Sequence, residues 1–472
     1  MRRFISGLLF LSALQIQAQG TAWTLENCIK QAVTHNLDIA TSAVIQQQNK
    51  NLYQQSKFNK YPDLSFGAGQ FVQSGRSLDR YTNQFVQTAI PSNNFQLSTS
   101  VTLFAGGQIR NNISQNKYLW LASEADMRNA EMNISLSVAN FFLQVVQAKE
   151  LVKSATETLN STKAQLERAE KQYAAGAINE GGVLNLKAQK AGDEATLINA
   201  KNQEMNALSQ LKMVMRVPQE QNFDVVVSEI GVVPAEDYPA DMLTLYDSAL
   251  KRRPDVESSE LRTRAAEYRL KVAKGSMLPV LSLGGNLSTV YSGNAKMATG
   301  YNFLGWDTTG RVMGTSQWVE APIWKVNTKT IAFSKQIQDN FGQSFGLNLN
   351  VPVWNKFNAR TTKMNAGLEL ERARLNVERS KQTVYNEVVT AWNNFQSALK
   401  RYEANKSAHE AQKMNLDFVQ KRYDAGQSSV FELQISRSAE AAARLNLVSV
   451  RYEYLFRRLV LDFYRGLDLK LD

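Results

Sequence analysis

The chain has 472 residues, with 54 Lys and Arg against 43 Asp and Glu, a formal net charge of +11, two His and a single Cys. Its basic residues are scattered among acidic ones along helical faces, which describes solvated helix surface and excludes a nucleic-acid partner. One Cys excludes an intramolecular disulfide, and two His with no His-Glu-x-x-His and no Gly-x-x-x-x-Gly-Lys loop leave no catalytic residue, metal site or cofactor to expect.

Arg2 and Arg3 precede an apolar run from Phe4 to Leu14 and then Ala18, the order and length of a secretory signal over 1–18 with cleavage near Ala18-Gln19. No Cys follows at lipoprotein distance, because Cys28 lies inside the helical pattern Leu25-Glu26-Asn27-Cys28-Ile29 and reads as a small packed residue. No later apolar run approaches the ~20 residues of a membrane-spanning helix, so any crossing is made by strands.

From Thr24 to about Lys60 the period is helical, and Pro62 ends it. The period then becomes two. Leu64, Phe66 and Ala68 alternate with Ser65, Gly67 and Gly69; Phe95, Leu97, Thr99, Val101 and Leu103 alternate with Gln96, Ser98, Ser100 and Thr102. One apolar and one small polar face match the strands of an outer-membrane barrel, apolar toward lipid and polar toward a lumen. From Gln108 to Ala174 no Pro or Gly intervenes, which gives roughly 100 Å of helix. Val138, Val145, Val152, Leu159, Leu166 and Tyr173 recur every seven residues as a coiled-coil seam. The helix ends at a hairpin tip, Tyr173-Ala174-Ala175-Gly176, and a shorter one returns over about 184–216.

All of this is written twice. An offset of 250 aligns Tyr173 and Gly176 with Tyr423 and Gly426, and Leu97, Val101, Leu103, Phe104 and Arg110 with Leu347, Val351, Val353, Trp354 and Arg360. An offset of 217 aligns Ala32, Asp38, Pro62, Leu64 and Gly67 with Ala249, Asp255, Pro279, Leu281 and Gly284. The second copy therefore carries 33 extra residues between Gly284 and Phe345, in a connection around Ser292 to Gln343 that contains Trp306, Trp318 and Trp324 and is expected outside the cell. The expected organisation is a first repeat over 19–232, with a β-hairpin at about 62–104 and a helical hairpin at about 107–216. A second repeat follows over 233–472, with a β-hairpin at about 279–354 and a helical hairpin at about 357–466. His409 falls on the second seam, where packing or a local hydrogen bond accounts for it.

Four strands cannot close a membrane barrel, and open edges are not tolerated in lipid, so several copies must complete one barrel. The fold class expected is mainly α with a β-barrel segment, built from a tandem-duplicated helix, β-hairpin and long-helix hairpin. A trimeric surface adhesin without transport is the rival reading, but its four strands would be contiguous at the C-terminus, whereas here two hairpins stand about 180 residues apart.

Across essentially the whole mature chain this order, with its two Tyr-x-x-Gly tips, resembles the TolC-like outer-membrane efflux proteins. Gly75-Arg76-Ser77-Leu78-Asp79 and Asp339-Asn340-Phe341-Gly342-Gln343-Ser344 resemble the versions in Bacteroidetes-type members. The resemblance implies a homotrimer with a 12-strand barrel in outer-membrane lipid, continuing into a periplasmic α-helical coiled-coil barrel. It also implies an exit duct for tripartite efflux or type I secretion, with a periplasmic adaptor and an inner-membrane pump, RND or ABC type, as partners.

By the same resemblance Tyr173, Gly176, Tyr423 and Gly426 mark the periplasmic tip and adaptor docking, while Glu432, Tyr423 and Asp424 form the pore constriction. The family's further acidic position reads Ile435, its basic position two after the Gly reads Ser428, and the acidic partner in the first repeat reads Gly182. That thins the charged latch and leaves Asp424 or Glu180 as substitutes. Three copies of Glu432 at the narrow end would make a ring of carboxylates attractive to cations; otherwise Glu432 is a first-turn residue favoured by the helix dipole.

Overall fold

The computed structural model describes residues 23–79, 84–87, 89–226, 238, 241–467 and 469. The expected signal peptide and its cleavage site lie outside these residues. Chain order is α1 (Leu25–His35), α2 (Leu37–Phe58), β1 (Asp63–Gln73), β2 (Arg76–Asp79), β3 (Gln84–Gln87), β4 (Ile90–Ala105), α3 (Gln108–Ala174) and α4 (Glu180–Met215). There follow α5 (Met242–Arg252), α6 (Pro254–Gly275), β5 (Val280–Ser292), β6 (Lys296–Arg311), β7 (Trp318–Thr330), α7 (Phe333–Asp339), β8 (Gly342–Asn350), α8 (Asn358–Asp424) and α9 (Val430–Arg465). Two compact units divide them. One comprises 1–50, 118–263 and 372–472; the other comprises 51–117 and 264–371.

In the first unit, α3 and α8 contribute to paired cores with matching positions. Val138 and Val145 of α3 are fully buried, as are their counterparts Val388 and Phe395 of α8. Cys28 and Leu245, Ala32 and Ala249, and Leu211 and Leu461 are likewise buried in corresponding pairs. Helix α9 serves both cores, giving Tyr452 and Leu459 to one and Val450, Tyr454 and Leu461 to the other. Tyr402 stacks on Tyr454 with centroids 5.4 Å apart. Cys28 is packed as its helical setting suggested, and burial pushes its thiol up to about 12. His409 meets Glu440 through Nε2 at 3.3 Å, a local hydrogen bond.

The opening helix expected over 24–60 is two helices. Asn36 breaks it in an extended conformation, its side-chain oxygen accepting from the Asp38 N–H at 2.8 Å. The corresponding break falls at Arg253, where the following Pro254 disfavours helical backbone and the guanidinium reaches Asp255 and Glu387, each at 2.9 Å. Returning helices α4 and α9 begin at Glu180 and Val430, a turn earlier than their apolar spacing indicated, because Asn179 and Ser429 cap them.

In the second unit β1, β4, β5 and β8 form an antiparallel sheet in that order. Its register separates the faces. Phe66, Leu97 and Leu287 lie in one row and Val101, Leu283 and Leu347 in another, while Ser65, Ser98, Asn286 and Ser344 cross the opposite face. Phe333 of α7 packs on one end of the apolar face, against Phe95 and Tyr291 at 6.2 and 5.3 Å; the rest is bare, and Leu64, Phe66, Phe345 and Leu347 are about two-thirds or more exposed. Two details differ from the alternating pattern. A bulge after Thr102 puts Phe104, in place of Leu103, opposite Leu281, and β8 stops at Asn350, so Val351 and Val353 lie beyond the strand. The connection at 292–343 is structured as the ribbon β6–β7 and the short helix α7.

No described helix is long and apolar enough to cross a membrane. Gly342-Gln343-Ser344-Phe345-Gly346 has the spacing of a hydrolase nucleophile elbow, which requires a sharp strand-to-helix turn. All five residues lie inside β8, with Ser344 opposite Asn286.

Candidate functional site: the hairpin tips

Both tips close by the same backbone device. Gly176 and Gly426 adopt left-handed conformations, φ 71° and 74°. Their N–H groups donate to the carbonyls of Tyr173 and Tyr423 at 2.9 Å, and the next residues, Ala177 and Gln427, donate to Gln172 and Arg422 at 2.8 Å. This Schellman pairing satisfies carbonyls that a helix end otherwise leaves open. Each loop then ends in a side-chain cap: Asn179 Oδ1 accepts from Gly182 N–H at 3.0 Å, and Ser429 Oγ from Glu432 N–H at 3.2 Å.

The side chains are wired differently. Arg422 Nη1 donates to Glu432 Oε1 at 2.9 Å, Ser428 Oγ donates to Oε2 at 2.6 Å, and Arg422 Nη2 closes on the Gln427 carbonyl at 3.1 Å. Glu432 thus clasps the end of α8 to the start of α9. The Ser428 hydroxyl first, and the Arg422 guanidinium second, hold its carboxyl below the ordinary value of 4.5. Asp424 accepts from Gln420 Nε2 at 3.0 Å, and Gln420 Oε1 in turn accepts from Arg437. At the first tip the positions of Arg422, Ser428 and Glu432 read Gln172, Ile178 and Gly182. The clasp therefore belongs to the second hairpin.

Of the residues anticipated, Tyr173 is 46% exposed and Tyr423 half-buried. Glu432 and Asp424 stand at opposite ends of the second tip, each engaged within its own hairpin, and Glu180 opens α4. Arg422 escaped the sequence reading, and Ser428, taken there as a lost charge, supplies a hydroxyl donor. The signal was an Arg ten residues before the Glu, which meets it only once the Schellman turn reverses the chain. Val430 packs against the small core of Ala169, Val183 and Leu186 that holds the first hairpin together. Between the tips lies a groove of about 720 Å³, lined by Ile178, Asn185, Leu186, Gln189, Phe431 and Gln434. Phe431 and Ile435 are 65% and 55% exposed. Among the described residues no group of three or more His, Cys, Asp or Glu is placed to hold a metal ion.

The sequence profile of the family described as outer membrane efflux protein matches residues 28–215 and 245–466, which take in both helical hairpins and the sheet. The chain belongs to the outer membrane efflux protein family. Membership gives it an address in the outer membrane. Among its relatives is the probable outer membrane lipoprotein SilC of Salmonella typhimurium, 22% identical over 57% of this chain and 58% of that protein. The cation efflux system protein CusC of Escherichia coli is also 22% identical, over 57% of this chain and 56% of that one. The chain thus spans little more than half the length of the curated relatives it matches. Solved structures align further. A CusC crystal structure superposes with a TM-score of 0.74 at 16% identity, covering 94% of this chain and 92% of that one. VceC from Vibrio cholerae gives 0.71 at 14% identity, over 94% and 97%. At such identities the likeness is one of fold, and it gives the chain the fold of these outer-membrane channels.

Proposed function

We propose that three copies of this chain complete one 12-strand β-barrel in the outer membrane, continuous with a periplasmic α-helical barrel, and that the trimer is the exit duct of a tripartite efflux or type I secretion system. The observation that carries the reading is the sheet β1–β4–β5–β8, with a largely bare apolar face and edge strands β1 and β8 unpaired on one side among the described residues. Lipid does not tolerate such edges, and closure needs about eight strands or more, so copies must pair β8 with β1 of the next. Light scattering on the detergent-solubilised protein, with detergent subtracted, should give three chains; a stable monomer would refute the assembly.

In this reading the tips are the periplasmic end. The groove beside Phe431 and the exposed Ile435 offer apolar anchors to a periplasmic adaptor, which links the duct to an inner-membrane pump of RND or ABC type. Tyr173, Gly176, Tyr423 and Gly426 shape that docking end. Glu432, with Tyr423 and Asp424, forms the constriction: while Arg422 holds Glu432 the tip stays narrow, and its release frees a carboxylate for passing cations. The surface-adhesin alternative draws no support from the family match.

A further inference from the structure

The 33 additional residues of the second copy build a ribbon whose bulges are spaced by design of sequence. On β6 the register slips between Ala298 and Gly300, between Phe303 and Gly305, and between Thr308 and Gly310. A glycine thus follows each bulge at five-residue intervals. In a regular strand, residues five apart point to opposite faces; one bulge per interval returns them to the same face. The partners confirm it: Tyr301, Trp306 and Arg311 oppose Val326, Pro322 and Trp318, four apart on β7.

The result gathers the large rings on one face. Tyr301, Phe303, Trp306, Trp318 and Trp324 all share one face, with Arg311 over the Trp318 ring at 5.7 Å. Phe303 packs edge-on against Trp306 at 6.0 Å and Trp324 at 5.3 Å, so these three rings form the centre of an aromatic platform. The other face is mixed, with the three glycines, Asp307, Lys325 and Lys329 beside Met297, Val319 and Ile323. The platform remains uncovered in the chain: Trp306 is 63% exposed and Trp324 52%. An isolated two-stranded ribbon in water is marginal, and this one turns its aromatic face outward.

We infer that the platform lies on the anionic outer surface of the bilayer. Four observations favour lipid over a second copy or a soluble partner. Trp and Tyr are the side chains that settle at membrane interfaces, with an apolar body and a polar tip. Cations flank the row on its own face at both ends, Lys296 and Arg311, against one carboxylate there, Glu320, and lipid phosphates would meet those end cations. The ribbon's edges are blunted by three bulges and by Pro322, which argues against strand addition by another copy. Finally, it is rooted in the membrane sheet. Gln336 of α7, fully buried, accepts from Ser292 N–H at 3.0 Å and donates to the Ser292 and Ile331 carbonyls at 3.2 and 2.9 Å. That fixes the ribbon to the end of β5.

The inference rests on the outer-membrane reading, with this connection outside the cell, and the test separates the two. The full chain is reconstituted into vesicles of phosphatidylethanolamine and phosphatidylglycerol with brominated acyl chains, which quench indole emission on contact. The emission lost in Trp306→Phe, Trp318→Phe, Trp324→Phe protein is the ribbon's share; the emission lost in Trp354→Phe reports a position four residues beyond the end of β8. We expect brominated lipid to quench the ribbon's share by at least half and aqueous iodide to leave it nearly unchanged. Quenching by iodide would put the rings in water, and access by neither quencher would put them against protein; either result overturns the inference. If Trp354 is quenched by lipid while the ribbon is not, only the platform assignment fails. If neither is quenched, the membrane reading falls and takes this inference with it. Should the triple variant not reconstitute, Trp306→Phe and Trp324→Phe singly give the same comparison.

Discussion

Replacing Gly426 with Ala isolates what the tip's backbone contributes. A Cβ at this position would meet nothing within 4 Å, so no clash enters; the cost is that of holding a residue with a side chain at φ 74°. Left-handed backbone costs an L-residue about 1–2 kcal/mol relative to its preferred regions, which is a factor of roughly 5–30 in a local opening equilibrium. The same scale has an internal control. Helix α4 ends in the same pairing as α9, yet with Arg216 at φ 56° where α9 has Gly466 at φ 81°. Arg216→Gly should therefore gain what Gly426→Ala loses. The assay is amide hydrogen exchange on the assembled protein. In Gly426→Ala, exchange at residues 426 and 427, whose N–H groups make the closing bonds, should accelerate by that 5–30-fold factor. In Arg216→Gly, exchange at Val217 should slow by a comparable factor. If Gly426→Ala leaves tip exchange unchanged, or if Arg216→Gly accelerates exchange at Val217, the assignment of the caps to conformational strain is wrong.

Three further outcomes follow from other contacts. Glu432 is held below its ordinary 4.5 in the folded state, so the clasp's contribution is fully present above that value and is lost as pH falls through the depressed one; bilayer conductance should stay flat from neutral pH to about 5 and rise in stronger acid, with Glu432→Gln already showing the acid behaviour at pH 7, and identical pH profiles for the two proteins would discard the clasp. Arg422→Ala should move that acid transition upward toward 4.5 and weaken the tip, whereas Lys421→Ala, removing an exposed i,i+4 pair with Asp417, should leave it in place, as measured by the same conductance titration. Gln336→Leu keeps the volume of the side chain but removes three buried hydrogen bonds at the ribbon's root, a loss of about 2–4 kcal/mol; protease added to intact cells should then cut throughout 296–330, while in the parent it cuts only in the turn between β6 and β7, and equal cleavage patterns would count against the Gln336 anchor.

The elements easiest to read were those with one dominant signal. Helix α3 has the bounds that the Pro-free and Gly-free run allows, and the sheet's two faces follow from strict alternation. The opening helix failed at Asn36 because a side chain bonding its own backbone two residues on leaves no trace in hydrophobic period; at Arg253 the Pro after it did carry the signal. The ribbon hid its strands for a different reason. On β6 each bulge resets the alternation, so a period of two never runs longer than four residues and the legible mark was the glycine spacing of five; β7 has no bulge, but Val319 and Ile323 on one face and Trp318, Trp324 and Val326 on the other erase its hydrophobic alternation. At the tip, Tyr423, Gly426 and Glu432 were found by pattern, but what Glu432 touches depends on a chain reversal, which brings Arg422 to a residue ten positions away.

Arg216 and Gly466 occupy the same place in their copies, still 250 positions apart, so nothing has been inserted or deleted between Leu97 and Arg216 relative to the second copy. The reason lies in the geometry of the long helices. A single added residue would turn everything beyond it by about 100° and advance it by ~1.5 Å, carrying each seam residue off its partner. The strand connection obeys no such rule and has absorbed 33 residues. Length is thus policed where two helices must stay in register and free where a ribbon only has to begin and end at the same strands. An engineer wishing to add an epitope or a guest domain has one address to prefer, the turn around Met313, whose side chain is 97% exposed, and no address at all within α3 or α8.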